Sequence, residues 1–90
     1  MKNIKFKIIR YSDHKLGETP AKIVGFNLVH VDDESISAYH ETVLTGSQFI
    51  GKTTEECIDT AFSMLSSSMA VTANKLLTEQ SVIGSYYIPN

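Results

Sequence analysis

Gly46-Ser47-Gln48-Phe49-Ile50-Gly51-Lys52-Thr53-Thr54-Glu55-Glu56 joins the strand-rich first half of the chain to its one long helical pattern. From Gly46 to Thr53 it matches the phosphate-binding pattern G-x-x-x-x-G-K-[ST]. Read as a phosphate loop, Gly46, Gly51, Lys52 and Thr53 hold a nucleotide. Read as the start of a helix, the same residues belong to a small α+β domain with no such chemistry. Position suits either reading, since Tyr39 to Leu44 has the pattern of a strand end and Thr54 onward that of a helix.

Four observations favour the helix start. A phosphate loop belongs to a parallel sheet wrapped by helices, with crossovers of about 30 residues each, and 90 residues with one long helix cannot supply that. The loop must bring backbone N–H groups close around the anion. Phe49 and Ile50 sit in the middle of it, and their apolar side chains suit a plug in the joint between sheet and helix. Glu55 and Glu56 follow at once. A carboxylate about 6 Å from a phosphate charge costs roughly 3 kcal/mol at an effective dielectric near 20. Finally, Thr53-x-x-Glu56 is a capping box that satisfies the orphan donors of the helix by itself.

From this cap the helix is expected to run over about 54–79. At 100° per residue, Ile58, Ala61, Phe62, Leu65, Met69, Thr72 and Leu76 fall on one stripe, wide enough to cover a three-stranded sheet. Ser66-Ser67-Ser68 are poor helix formers and give the helix a place to bend or split. A second stripe, Cys57, Met64 and Val71, repeats every seven residues among uncharged neighbours. From Thr60 to Asn74 no side of the helix carries a charge. A helix without a charged face is usually covered on more than one side, so this stripe predicts a face that docks on another subunit.

Upstream of the cap the chain reads as strands over about 3–11, 21–31 and 36–45. Ile4, Phe6 and Ile8 alternate with Lys5, Lys7 and Ile9, a half-buried strand whose lysines suit a sheet edge. Residues 12–19 read as a polar loop, with Gly17 free to take positive φ. The second strand is apolar on both faces, with Val24, Phe26 and Leu28 on one and Ile23, Val29 and Val31 on the other, which marks it as central. Gly25 within it predicts a bulge or a close backbone approach. Asp32 to Ser35 is the following turn. Two registers remain open for the third strand: Phe26 opposite His40 with Leu28 opposite Ala38, or Leu28 opposite Tyr39.

Downstream of the helix, residues 81–90 include Tyr86, Tyr87 and Ile88, too apolar for a solvated end. They are expected to form a short strand on the sheet or to reach another subunit.

The remaining chemistry is sparse. The chain has a net charge of −2 and 42% hydrophobic residues, a balance unlike that of most nucleic-acid surfaces. Lys2, Lys5, Lys7 and Arg10, with the aromatic Tyr11 beside them, are the best candidates for such a role. Cys57 is the single cysteine, which excludes an internal disulfide framework and a multi-cysteine zinc site. His14 is a lone loop histidine, His30 and His40 lack a third ligand at metal spacing, and Asp32-Asp33-Glu34 lacks the pattern of a calcium loop. The acidic first helical turn disfavours a reactive Cys57 thiolate. No active site can be assembled, and no cofactor or metal is expected.

The N-terminal alternation of Lys and apolar residues is unlike a signal peptide, and the longest uncharged run is too short to span a bilayer, so a cytoplasmic protein is expected. The expected fold is α+β: a three-stranded antiparallel meander, then one long helix on one sheet face, then an extended tail. Its expected role is non-catalytic assembly as a homo-oligomer or a subunit of a larger particle, such as a virus particle, through an exposed apolar face of the sheet and an apolar face of the helix, with Cys57, Met64, Val71, Tyr86 and Tyr87 at the interface.

Overall fold

The computed structural model describes residues 3–89. Three strands, β1 (Ile4–Leu16), β2 (Thr19–His30) and β3 (Ser37–Thr45), form an antiparallel sheet in the order β1-β2-β3. A single 3-10 turn, Gly46–Gln48, leads into α1 (Thr54–Val82), which packs across one face of the sheet. The chain is therefore α+β, as its sequence predicts.

The first hairpin is longer than the alternation of residues suggests. The polar stretch expected as a loop is strand on both sides of a two-residue turn, with Leu16 paired to Thr19 and Asp13 to Lys22. Gly17 at φ 64 supplies the positive φ that a tight hairpin turn needs at its first central position. This part of the hairpin is exposed on both faces, so neither face is selected for apolar residues. Backbone pairing and cross-strand contacts hold it instead. Lys22 Nζ lies 2.7 Å from Asp13 Oδ1 and 4.8 Å from the centre of the Tyr11 ring.

Phe26 lies opposite His40 and Leu28 opposite Ala38, the first of the two registers open to the sequence. β1 slips by one residue between Ile8 and Arg10, so that Ile9 is a bulge beside Gly25. The slip puts Tyr11 opposite Val24, on the same face as Ile4, Phe6 and Ile8. Val31, expected as strand, instead lies just past the end of β2, where its N–H donates to Asn3 O at 3.0 Å.

Gly25 is a site of close approach. A Cβ built there would come within 2.6 Å of Tyr39 Cζ and 2.7 Å of its Cε1, and closer still to its hydroxyl. Arg10 and Glu41 flank the same glycine from β1 and β3, 3.5 Å apart. Burial, and then the Glu41 carboxylate, push the Tyr39 phenol above its ordinary pKa, while Arg10 opposes them. Glycine within a strand costs about 0.5–1 kcal/mol relative to alanine. Gly25→Ala is therefore expected to destabilise the protein when Tyr39 is present and to stabilise it by about 0.5 kcal/mol in a Tyr39→Ala background. Urea unfolding of the two single variants and the double variant checks the change of sign.

The core lies between sheet and helix. Ile4, Val24, Phe26, Leu28 and Leu44 meet Cys57, Ala61, Met69, Ala73 and Leu76. Phe62 closes the β1 side, edge-on to Phe6 at 5.0 Å and to Phe26 at 5.6 Å. The helix runs unbroken through Ser66–Ser68, so it is not split there, and it ends three residues later than expected. The helix-free face differs from the expected exposed apolar surface. Ala21, Ile23 and Val29 on that face are only 2–4% exposed. Lys5 and Ser37 flank Val29, and Ser12 and Val43 flank Ile23, from the strands on either side.

The expected inner stripe of α1 is buried at Ala61, Met69 and Leu76 and half-buried at Ile58, Leu65 and Thr72, and a second, drifting line of buried residues crosses it. The drifting line passes through Cys57, Ala61, Leu65, Met69, Ala73 and Leu77, a strict i, i+4 series of buried and half-buried residues. Four residues turn the helix about 400°, so the line moves about 40° with each step. Over the length of α1 the buried face migrates around the helix, which explains an error in the heptad reading. Cys57 lies only about 20° around the helix from Met64 and about 40° from Val71, yet it is buried at 2% exposure whereas they stand at 46% and 72%. Cys57 therefore belongs to the core and not to an outward face.

Candidate functional site

The eleven residues that decide the fold form a self-contained turn. Gly46 at φ 55 and Gly51 at φ 75 adopt the left-handed region that glycine takes at no steric cost. Between them Gly46 O accepts from the N–H groups of Phe49 and Ile50, at 3.2 and 3.0 Å, and Phe49 O accepts from Lys52 N at 3.1 Å. Thr45 N–H donates to Gln48 Oε1 at 2.9 Å. Phe49 packs against the core and plugs the joint, whereas Ile50 is 63% exposed.

At the helix start, Glu56 N donates to Thr53 Oγ1 at 3.1 Å and Thr53 N donates to Glu56 Oε1 at 3.0 Å. The amides of Phe49, Ile50, Lys52, Thr53 and Glu56 thus have acceptors within the turn. A phosphate cradle needs such amides to converge on an anion. Gly46, Gly51, Lys52 and Thr53 are brought together here as a helix cap following an antiparallel strand.

The capping bonds hold the Glu56 carboxyl below the usual glutamate range, first through the Thr53 backbone N–H and then through the Thr53 side chain. A depressed folded pKa stabilises the fold above about pH 4.3, the value of a free glutamate, and that contribution is lost as pH falls through the folded value. The stability advantage over Glu56→Gln, which still accepts the bond but does not titrate, is expected to shrink as the solution is acidified. Thr53→Ala removes the acceptor for Glu56 N–H and is expected to lower stability by about 1 kcal/mol. Chemical denaturation of both variants across pH measures the two effects.

Met64 and Val71 are exposed, but they occupy different places. Met64 Sδ is 3.7 Å from Gln48 Nε2, on the flank of α1 that overhangs β3, opposite the Phe62 flank over β1. Val71 is turned further from the sheet. Thr60, Ser68 and Thr72 continue the Met64 flank without a charge. Thr72 Oγ1 lies 2.7 Å from His40 Nε2, a polar tie between helix and sheet. Sequence periodicity places Thr72 on the inner stripe, but it contains no signal that His40 would be the partner.

The tail beyond α1 begins with a turn at Ile83 and Gly84 and does not form a strand. Val82 and Ile83 are 60% and 62% exposed, and Tyr86, Tyr87 and Ile88 are 94%, 87% and 82% exposed. Ser85 N–H donates to Val82 O at 3.0 Å, and Gly84 at φ 90 turns the chain there.

The other candidates are drawn into local pairs. Lys5 is 3.7 Å from Glu34 and Arg10 is 3.5 Å from Glu41, so two of the cations on β1 face carboxylates. Lys2 lies outside the described residues. His30 is buried, and its Nδ1 accepts from Asp32 N–H at 3.1 Å. The acidic turn is held by Asp33 Oδ1, which accepts from Ser35 N–H at 3.1 Å. Asp13, His14 and Lys15 rim an open groove of ≈ 470 Å³ between the hairpin and Phe49. Among the described residues no three of His, Cys, Asp and Glu cluster as metal ligands, and no helix is long and apolar enough to cross a membrane. Compared with known protein families, curated proteins and solved structures, the chain matches none.

Proposed function

We propose that this protein is a non-catalytic assembly component whose working form is a homo-oligomer. One observation carries the reading. Val82, Ile83, Tyr86, Tyr87 and Ile88 hold their side chains 60–94% exposed within a few residues of one another. Scattered exposed apolar residues are ordinary, but a contiguous apolar segment marks a surface of association. The uncharged flank of α1 around Met64 supports the same reading, because a solvated helix side of that length normally carries Lys and Glu. Light scattering on a sizing column, with and without ATP and magnesium, tests it. A discrete multiple of the 10.0 kDa chain that ignores nucleotide is the expected result. A monomer at every concentration, or an oligomer that forms only with ATP, contradicts it.

A further inference from the structure

The sheet has two outer edges, and they are built differently. β1 carries Lys5, Lys7, Arg10 and Lys15 and a bulge at Ile9. Lysines and bulges are the features that keep an edge from pairing with another chain. β3, Ser-Ala-Tyr-His-Glu-Thr-Val-Leu-Thr, has no lysine, no proline and no bulge.

The direction of the β3 backbone groups follows from its pairing. His30 N–H donates to Ile36 O, so even-numbered residues of β3 turn their N–H and C=O groups toward β2. Ser37, Tyr39, Glu41 and Val43 therefore turn theirs outward. Thr45 also points outward, and its N–H is already taken by Gln48 Oε1. Among the described residues nothing covers the other four.

We propose that the β3 edge receives residues Ser85–Ile88 of a second copy of this chain as a fourth strand, and that the exchange is reciprocal. This rests on the homo-oligomer reading above and adds the mode of contact. In an extended segment Tyr86 and Ile88 project to one face and Tyr87 to the other. Beside β3, one face of the incoming strand meets Met64 on the overhanging flank of α1, and the other meets Tyr39 and Val43 on the helix-free face. Met64 and Tyr39 are 46% and 43% exposed, so apolar surface awaits on both sides. Pro89 has no N–H and ends the ladder.

Reach favours a second copy over the same chain. Thr72 is level with His40. Beyond that point α1 continues to Val82, about 15 Å, whereas β3 extends back only to Ser37, about 10 Å. The tail leaves α1 past the start of β3 and one layer above it, roughly 10 Å away. Ile83–Pro89 spans at most about 23 Å, and most of that length would be consumed in descending and doubling back.

The test compares the full chain with a chain lacking residues 84–90, and adds a fluorescent peptide, Gly-Ser-Tyr-Tyr-Ile-Pro, of the sequence 84–89. The full chain is expected to be a dimer, twice the 10.0 kDa of a single chain, and the shortened one to be a monomer. The peptide is expected to bind the shortened chain, and Met64→Glu, an exposed change compatible with folding, to weaken it by at least about tenfold. Tyr86→Glu in the full chain is expected to dissociate the dimer without deleting anything. An oligomer that keeps its mass without the tail, or in Tyr86→Glu, overturns the strand exchange and leaves self-association standing. Peptide binding that ignores Met64→Glu overturns the β3 edge as the acceptor. A full chain that stays at 10.0 kDa overturns both this inference and the homo-oligomer reading.

Discussion

Leu28→Ala is expected to lower the unfolding free energy by about 3 kcal/mol, within the range found for large-to-small changes in cores. Leu28 is fully buried on the central strand β2, between Phe6 on β1 and Ala38 on β3, and it faces α1. The cost has two parts: the lost transfer free energy of three carbons and a cavity that the rigid sheet cannot collapse around. For a 90-residue domain, stability at ordinary density is about 5–13 kcal/mol, so this one change removes a large fraction. Denaturant titration should show a lower midpoint with an unchanged slope, because the folded state loses packing and not its extent. Leu44→Ala is expected to behave alike, as Leu44 is fully buried on β3.

Ala61→Leu is expected to destabilise by about 2 kcal/mol, although leucine is an excellent helix former and the change adds apolar volume. Ala61 is fully buried where α1 comes close to the sheet, and the added atoms have no space to occupy. Ala70→Leu is the control. Ala70 is exposed, so the same change there should move stability by less than about 0.5 kcal/mol. Equal effects at the two positions would contradict the burial of Ala61, which the fixed stripe and the i, i+4 line both require. A fixed heptad face would instead put Cys57 outside, and Cys57→Ser would then be harmless. On the drifting line Cys57 is buried with its Sγ 3.9 Å from Phe49 O, and the same substitution puts a more polar hydroxyl into that buried site, which costs stability.

The local signals in this sequence are strong where a single chemical device sets the structure. Thr53 and Glu56 make the capping box that their spacing predicts. Gly17 takes positive φ, and Gly25 is approached so closely that no Cβ fits. The two-faced apolar pattern of β2 correctly makes it the central strand. The less legible features depend on geometry shared between elements. Residues 12–19 have no apolar face because that part of the hairpin packs on nothing, so periodicity could not reveal a strand there. Ile9 breaks the alternation of β1 through a bulge set by its partner strand. The place of Cys57 depends on how the contact line winds along α1, which a straight 100° projection does not contain.

The candidate site divides in the same way. The exposed apolar tail and Met64 are visible in the sequence as apolar residues without charged neighbours. Of the residues expected at a partner interface, Tyr86, Tyr87, Met64 and Val71 are exposed in the single chain, while Cys57 is buried in the core. The contrast between the two sheet edges could not be read in advance. It requires knowing that β1 and β3 flank β2, where the β1 bulge falls, and which β3 residues turn their backbone outward.

Hydrogen exchange of individual backbone amides, measured on concentrated and dilute samples of the full chain, tests self-association on the β3 edge most directly. The outward amides of Tyr39, Glu41 and Val43 are expected to be protected at high concentration and to lose protection on dilution. The outward amides of Phe6 and Ile8 on β1 should exchange fast in both samples, since that edge is left bare. Fast exchange at Tyr39, Glu41 and Val43 under all conditions, or protection of the β1 edge in their place, would contradict the account.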